Sequence, residues 1–274
     1  NFWGQARVVM IRSFLSFLRD KVAVLSNLIQ PILLAFLTVT ALSNSGVTIS
    51  IHFFLVVGAV WIGAAMTVRE VVKERKLYVR DRLVSMSPTA YLLGKLAAAI
   101  ALLLPAACLL YCTAHLAYPW SIKTGILEQL HAVSWSTGIF ALWLTAIGGA
   151  VLGLIISTIS KNERFAVQIL PATIMPQILL SRVISGDWKH SWSDGQTPYA
   201  PLQLVGDYWD LVFCSSLSLI TRPATAVIDM QATGFNDRAV IFSEWIYLVG
   251  LTFAYLTILY GLFRIRERKW ITEW

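Results

Sequence analysis

At 274 residues, with 57% of them hydrophobic and only 14% charged, the chain has a mean hydropathy of +0.67. Ordinary soluble domains carry roughly a quarter charged residues, so these figures exclude a water-soluble enzyme or carrier and imply a membrane domain. The net charge of +7 and pI near 9.5 would also suit a nucleic-acid binder, but the bases flank apolar runs of membrane length and are a topology signal instead.

The chain starts at Asn1 rather than Met and is expected to be an excised part of a longer protein. Residues 1–21 read as an amphipathic interfacial helix, with Phe2, Val9, Ile11, Phe14, Leu15 and Leu18 alternating with Arg7, Arg12 and Arg19. Its bases are expected to face anionic headgroups. A hydrocarbon core about 30 Å thick needs about 20 apolar residues per spanning helix. Six runs qualify: Val22–Ser43, Ile51–Val68, Tyr91–Leu116, His131–Ile159, Phe165–Ile184 and Val240–Phe263. The first is long enough to span and follows a basic lead-in, so it is not a removable signal peptide.

Six spans put both termini on one side. The segments on that side (1–21, 69–95, 160–164 and 264–274) hold 17 of the 22 Lys and Arg, and the other side keeps Lys123, Arg182, Lys189, Arg222 and Arg238. Cytoplasmic loops concentrate Lys and Arg, so both termini are expected in the cytoplasm. Trp3, Trp61, Trp120, Trp135, Trp245 and Trp270 fall near span ends, where amphipathic rings anchor at the headgroups; Trp143 lies deeper. The 185–239 segment before the last span is the only sizeable external feature. Its run Leu211–Ile220 is too short to cross, which leaves two readings open: a re-entrant element over an external vestibule, or a helix lying flat on lipid.

Local chemistry is sparse. There is no GxxxxGK[ST] phosphate loop, no HExxH and no GxSxG. His52, His115, His131 and His190 are scattered near span ends without metal-ligand spacing. Cys108 and Cys112 share a helical face and read as packing residues; Cys214, if paired at all, would pair with another chain. No Asp, Glu, Lys or Arg falls at the centre of any predicted span. Ion-coupled transporters need such groups to bind or relay the driving ion, so energy for any transport must arrive from elsewhere. The polar residues inside spans are neutral: Asn27, Gln30, Thr67, Thr145, Gln168, Thr173 and Gln177. They suit an amphiphilic cargo path and equally suit interhelical hydrogen bonding. Gly149-x-x-x-Gly153 and, more weakly, Ala59-x-x-x-Gly63 allow close helix approach, and Pro31, Pro105, Pro171 and Pro176 weaken or kink their spans.

The densest feature is Arg69 to Lys95, REVVKERKLYVRDRLVSMSPTAYLLGK, rich in both charge signs between two apolar runs. With no Gly or Pro before Pro88, it reads as a rigid helix. On that helix Glu70 and Glu74 are a like-charged i,i+4 pair, compensated by Lys73 and, further on, by Asp81 beside Arg80 and Arg82. A solvated helix satisfying its own charges and a docking element for a charged protein surface are both compatible with this pattern.

The run E-R-K-L-Y-V-R-D-R at Glu74–Arg82, followed by Ser87-Pro88, Tyr91 and Lys95, resembles the coupling-helix region of ABCG-like exporters. Arg12…Arg19-Asp20…Gln30-Pro31 resembles that family's entry into its first span, and Pro176 to Ser181 its fifth. Val84-Ser85-Met86 stands where many members have a Gly-Tyr pair, which points to a bacterial branch.

The resemblance implies an all-α polytopic fold of six transmembrane helices, the membrane half of an ATP-driven exporter. That fold has an interfacial N-terminal helix, a short cytoplasmic coupling region at 69–88 and a re-entrant external segment at 185–239. It implies a homodimer and a nucleotide-binding domain, fused upstream or separate, that holds ATP and Mg2+, with no cofactor in this segment. Glu74, Arg75, Tyr78, Arg80, Asp81 and Arg82 would transmit that domain's closure to the spans. Thr67, Gln168, Thr173 and Gln177 would line the path of a lipid-like or amphiphilic substrate. The expected location is a bacterial inner membrane, with lipids and no nucleic acid as further partners. The alternative is a membrane anchor or assembly scaffold whose charged loop recruits a partner that is not an ATPase.

Overall fold

The structure, a computed structural model, describes residues 2–43, 51–117, 134–179 and 238–272, with positions 224 and 228 besides. Its principal described elements are α1 (Phe2–Arg19), α2 (Lys21–Ser43), α3 (Ile51–Thr67), α4 (Glu70–Leu83), α5 (Pro88–Leu116), α6 (Trp135–Ile159), α7 (Glu163–Leu179) and α8 (Arg238–Thr272). Local chemistry sets several starts. Asp20 Oδ1 accepts from Ala23 N at 3.1 Å, Ser87 Oγ from Ala90 N at 3.2 Å, and Asn162 Oδ1 from Phe165 N at 2.8 Å. Each satisfies an amide that has no partner within its own first turn, and Pro88 adds a preset φ at the head of α5.

Five described helices are long and apolar enough to cross a membrane: α2, the run of α3 into α4, α5, α6 and α8. α7 is described over 17 residues, and the remainder of the predicted fifth span lies outside the described residues. So does the 185–239 segment, Cys214 included, apart from positions 224, 228, 238 and 239.

The core is the pairing of α3 with α6, and its cause is the small-residue stripe. A Cβ added at Gly149 would collide with the Val60 carbonyl, one at Gly153 with Thr67 Oγ1 and one at Gly63 with the Ala146 carbonyl. Only glycine lets the two backbones come this close. A fourth glycine contact was not anticipated. A Cβ at Gly94 of α5 would lie 2.7 Å from both the Ala6 carbonyl and Val9 Cβ, so Gly94 is the seat on which α1 docks. α1 therefore buries Ala6, Val9 and Ser13 against the bundle and exposes Trp3, Val8, Ile11, Leu15 and Leu18.

One interfacial expectation is corrected here. Trp270, expected as a headgroup anchor, is buried against protein, as are His52 and His115. Trp143, the deep exception, donates its Nε1–H to the Ile100 carbonyl of α5 at 3.0 Å. No group of three or more potential metal ligands occurs among the described residues.

Candidate functional site

The charged helix α4 starts where the apolar face of α3 ends, after a turn at Val68–Arg69. Arg69, its N-cap, offers no side-chain cap. The capping oxygen comes from another helix instead: Ser157 Oγ of α6 accepts from Val71 N at 3.0 Å and Val72 N at 3.1 Å. At the far end Ser85 takes a left-handed φ of 73°, which turns the chain into α5. Gln5 of α1 clamps that turn, donating from Nε2 to the Ser85 carbonyl at 3.2 Å and accepting from Ser87 N at 3.1 Å.

Between its ends, α4 is tied to its neighbours by two groups of charges. In the first, Lys95 of α5, with its side chain 2% exposed, places Nζ 2.6 Å from Glu70 Oε2 and 2.8 Å from Glu74 Oε1. Arg12 of α1 reaches Glu74 at 3.5 Å and donates to Asp81 Oδ2 at 2.7 Å. Burial alone would lower the Arg12 pKa, but the hydrogen bond to Asp81 and the charges of Glu74 and Asp81 prevail and raise it.

The second group is centred on Glu267 of α8, whose side chain is 4% exposed. Glu267 Oε1 accepts from the Tyr78 hydroxyl at 2.8 Å and from Arg82 Nε at 2.6 Å, and its Oε2 from Arg264 at 3.2 Å. Beside it the rings of Tyr78, Tyr91, Phe263 and Trp270 pack with centroids 4.6–6.4 Å apart. Arg75 lies over Trp270 at 4.8 Å and donates to the Ser160 carbonyl at 2.6 Å. Buried charges persist where each has partners, because removing one partner leaves the other uncompensated.

The outer face of α4 is different. Arg69, Lys73, Lys76 and Arg80 recur at helical spacing, all exposed, and the stripe ends in exposed Leu83 and Val84. Arg80 is 70% exposed, and among the described residues its ion pair is with its neighbour Asp81, at 3.7 Å.

Residues 4–186 match the family model of the ABC-2 type transporter. The chain belongs to the ABC-2 type transporter family. It is also similar to the ABC transporter ATP-binding/permease protein Rv1747 of Mycobacterium tuberculosis (strain ATCC 25618 / H37Rv), with 29% identity over 129 residues. That stretch covers 46% of the chain and 14% of the relative. The chain is thus a multi-pass membrane domain of an ABC transporter, and the charged cluster sits at one end of its helix bundle.

Within this ABC-2 domain, five of the six expected coupling residues point inward. Glu74, Arg75, Tyr78, Asp81 and Arg82 bind other helices of the same chain, and Arg80 alone of the six faces out. The carboxylates of Glu70 and Glu74 are balanced by Lys95 and Arg12, whereas compensation by Lys73 was expected; Lys73 is exposed on the outer stripe. Arg12 is likewise turned to protein carboxylates and away from the headgroups expected for it, while Arg7 and Arg19 remain exposed.

Of the expected cargo-path residues, Thr67 is buried and donates to the Ala150 carbonyl of α6 at 2.7 Å, an interhelical hydrogen bond of the kind that was the other reading of these polar residues. Gln168 is exposed on α7, and Thr173 is half-buried with its hydroxyl donating to the Ile169 carbonyl at 3.2 Å. Gln177 lies on α7, but its side chain is outside the described residues.

Glu267 was missed because the last span was expected to end at Phe263, whereas α8 continues to Thr272. The signal was present: Phe263, Glu267 and Trp270 fall at i, i+4 and i+7 on one helical face.

Proposed function

We propose that this ABC-2 domain exports an amphiphilic or lipid-like substrate, driven by ATP hydrolysed on a nucleotide-binding domain that docks on the outer face of α4. The observation that carries this reading is the two-faced construction of α4. Its inner face is tied to α1, α5, α6 and α8 by the contacts of Arg12, Lys95, Ser157 and Glu267. Its outer face offers a basic stripe with an apolar tip. A helix held this way behaves as a lever: a push on the stripe moves four helices together.

In this reading Glu74, Arg75, Tyr78, Asp81 and Arg82 transmit the push, and Arg80 joins Lys76 in meeting the ATPase domain. The bound ATP and Mg2+ belong to that domain and supply the phosphoryl-transfer chemistry. The name of the Mycobacterium tuberculosis relative, an ATP-binding/permease protein, supports such a partnership. Both termini and α4 lie in the cytoplasm, consistent with the concentration of Lys and Arg at this end, and six spans cross a bacterial inner membrane. Two copies pair around a path that Gln168, Thr173 and Gln177 help to line.

The test is ATP-dependent movement of a fluorescent amphiphile by the intact transporter in proteoliposomes, with Arg82→Ala as the probe. The variant should keep most ATP hydrolysis and lose most export. Export and cargo-stimulated hydrolysis both unchanged would refute the coupling assignment. Capture of the intact complex without any ATPase domain, fused or bound, would favour a scaffold instead.

A further inference from the structure

Two cavities lie along one side of the bundle, and their lining residues follow one groove. The first, about 370 Å³, is walled by the start of α2, the end of α3 and the first turn of α4. The second, about 230 Å³, lies between α2, α3 and α7. On α2 the lining positions Ala23, Asn27, Gln30, Leu34 and Thr38 recur every three or four residues. On α3 the positions Phe54, Gly58, Trp61 and Ala65 do the same. Each set is a single helical stripe, so the two cavities are successive lengths of the same α2–α3 groove. From Phe54 to Met66 the groove runs about 18 Å along α3, comparable with one leaflet of a hydrocarbon core.

The chemistry changes sharply along it. The second cavity is walled by Leu34, Phe54, Trp61, Pro171, Ile174 and Met175 and is almost wholly apolar. The first carries two cations, Arg69 and Lys73, and three carboxylates, Asp20, Glu70 and Glu163. Glu70 is neutralised by Lys95. Arg69, Lys73 and Glu163 make no ion pair among the described residues, and Asp20 only caps α2. The mouth therefore presents two positive and two negative groups, with the amides of Asn27 and Gln30 between the charges and the apolar stretch.

We infer that the α2–α3 groove binds a zwitterionic amphiphile. Its anionic group sits against Arg69 and Lys73, its cationic group against Asp20 and Glu163, and its hydrocarbon chain along Leu34, Phe54 and Trp61. A purely anionic amphiphile would meet the two carboxylates and a purely cationic one the two bases, so only a headgroup of both signs finds partners for all four. This rests on the export reading, and it gives the substrate's headgroup class and its place of entry at the α4 end.

Trp61 supplies the readout. The intact transporter in maltoside micelles, without ATP, is titrated with single-chain phosphoethanolamine lipid brominated in its acyl chain, and tryptophan quenching is followed. Saturable quenching is expected, with Trp61→Phe removing most of it. Arg69→Gln/Lys73→Gln should weaken the apparent affinity by about tenfold or more, and Asp20→Asn/Glu163→Gln should weaken it comparably. Brominated alkyl phosphate and alkyl trimethylammonium should each bind less tightly than the zwitterion.

Non-saturable quenching, equal affinity for the three headgroups, or affinity unmoved by both double variants would overturn the inference. ATP-dependent export of amphiphiles together with any of those results would leave the export reading intact and remove the groove. Saturable, headgroup-selective binding without ATP-driven movement would keep the groove and remove the export reading.

Discussion

The two faces of α4 carry similar charge density but use it in opposite ways. On the inner face, Glu70, Glu74, Asp81 and Arg82 meet partners from three other helices at 2.6–3.5 Å, and the hubs Lys95 and Glu267 are almost fully buried. On the outer face, Lys76 and Arg80 extend into solvent. The inner charges hold a position because water cannot replace a lost partner there, while the outer charges remain available to another surface. Charge density in a sequence does not distinguish these roles. Only the location of the opposite charge does.

Breaking the inner face should have the largest effect. Lys95→Met leaves the carboxylates of Glu70 and Glu74 with a missing buried partner and should cost about 3–5 kcal/mol, read as a fall in unfolding temperature in detergent. Glu267→Ala strands the Tyr78 hydroxyl and Arg82 and should cost about 1–3 kcal/mol, with loss of export exceeding loss of ATP hydrolysis. A Glu267→Ala variant as stable as the parent would show that α8 does not hold α4. Ser157→Ala removes the cap that α6 lends to α4 and should cost about 1 kcal/mol in the same unfolding assay.

The outer face should show the reverse profile. Lys76→Gln/Arg80→Gln together should change stability by no more than about 0.5 kcal/mol per site. The same double variant should weaken association with the ATPase domain and flatten the salt dependence of that association. Stability falling as far as in Lys95→Met would erase the distinction between the faces.

Much of this was legible in the sequence. Composition and run length gave a multi-pass helical membrane domain, because lipid imposes its helices on composition. The Gly149-x-x-x-Gly153 stripe does bring α6 against α3, and the run around Glu74–Arg82 pointed to a transporter family that the match over residues 4–186 supports at the broader ABC-2 level. What was not legible was pairing at long separation. Arg12 with Asp81, Lys95 with Glu74 and Glu267 with Arg82 join residues from different helices, and local i,i+4 rules assigned Glu70 and Asp81 to neighbours on their own helix. Thr67 was ambiguous for a related reason: a polar residue in a span can serve cargo or a facing carbonyl, and the Ala150 carbonyl is visible only once α3 and α6 are packed.

In the proposed arrangement α4 presents its outer stripe to a cytoplasmic ATPase domain while its inner face is locked into the bundle. It is tested most directly by labelling Lys76→Cys and Arg80→Cys with a membrane-impermeant maleimide in the intact complex and after stripping of the ATPase domain. Both cysteines should react from the cytoplasmic side when the domain is absent and be protected when it is bound. Equal labelling in the two states, or labelling from the opposite side of the membrane, would contradict the account.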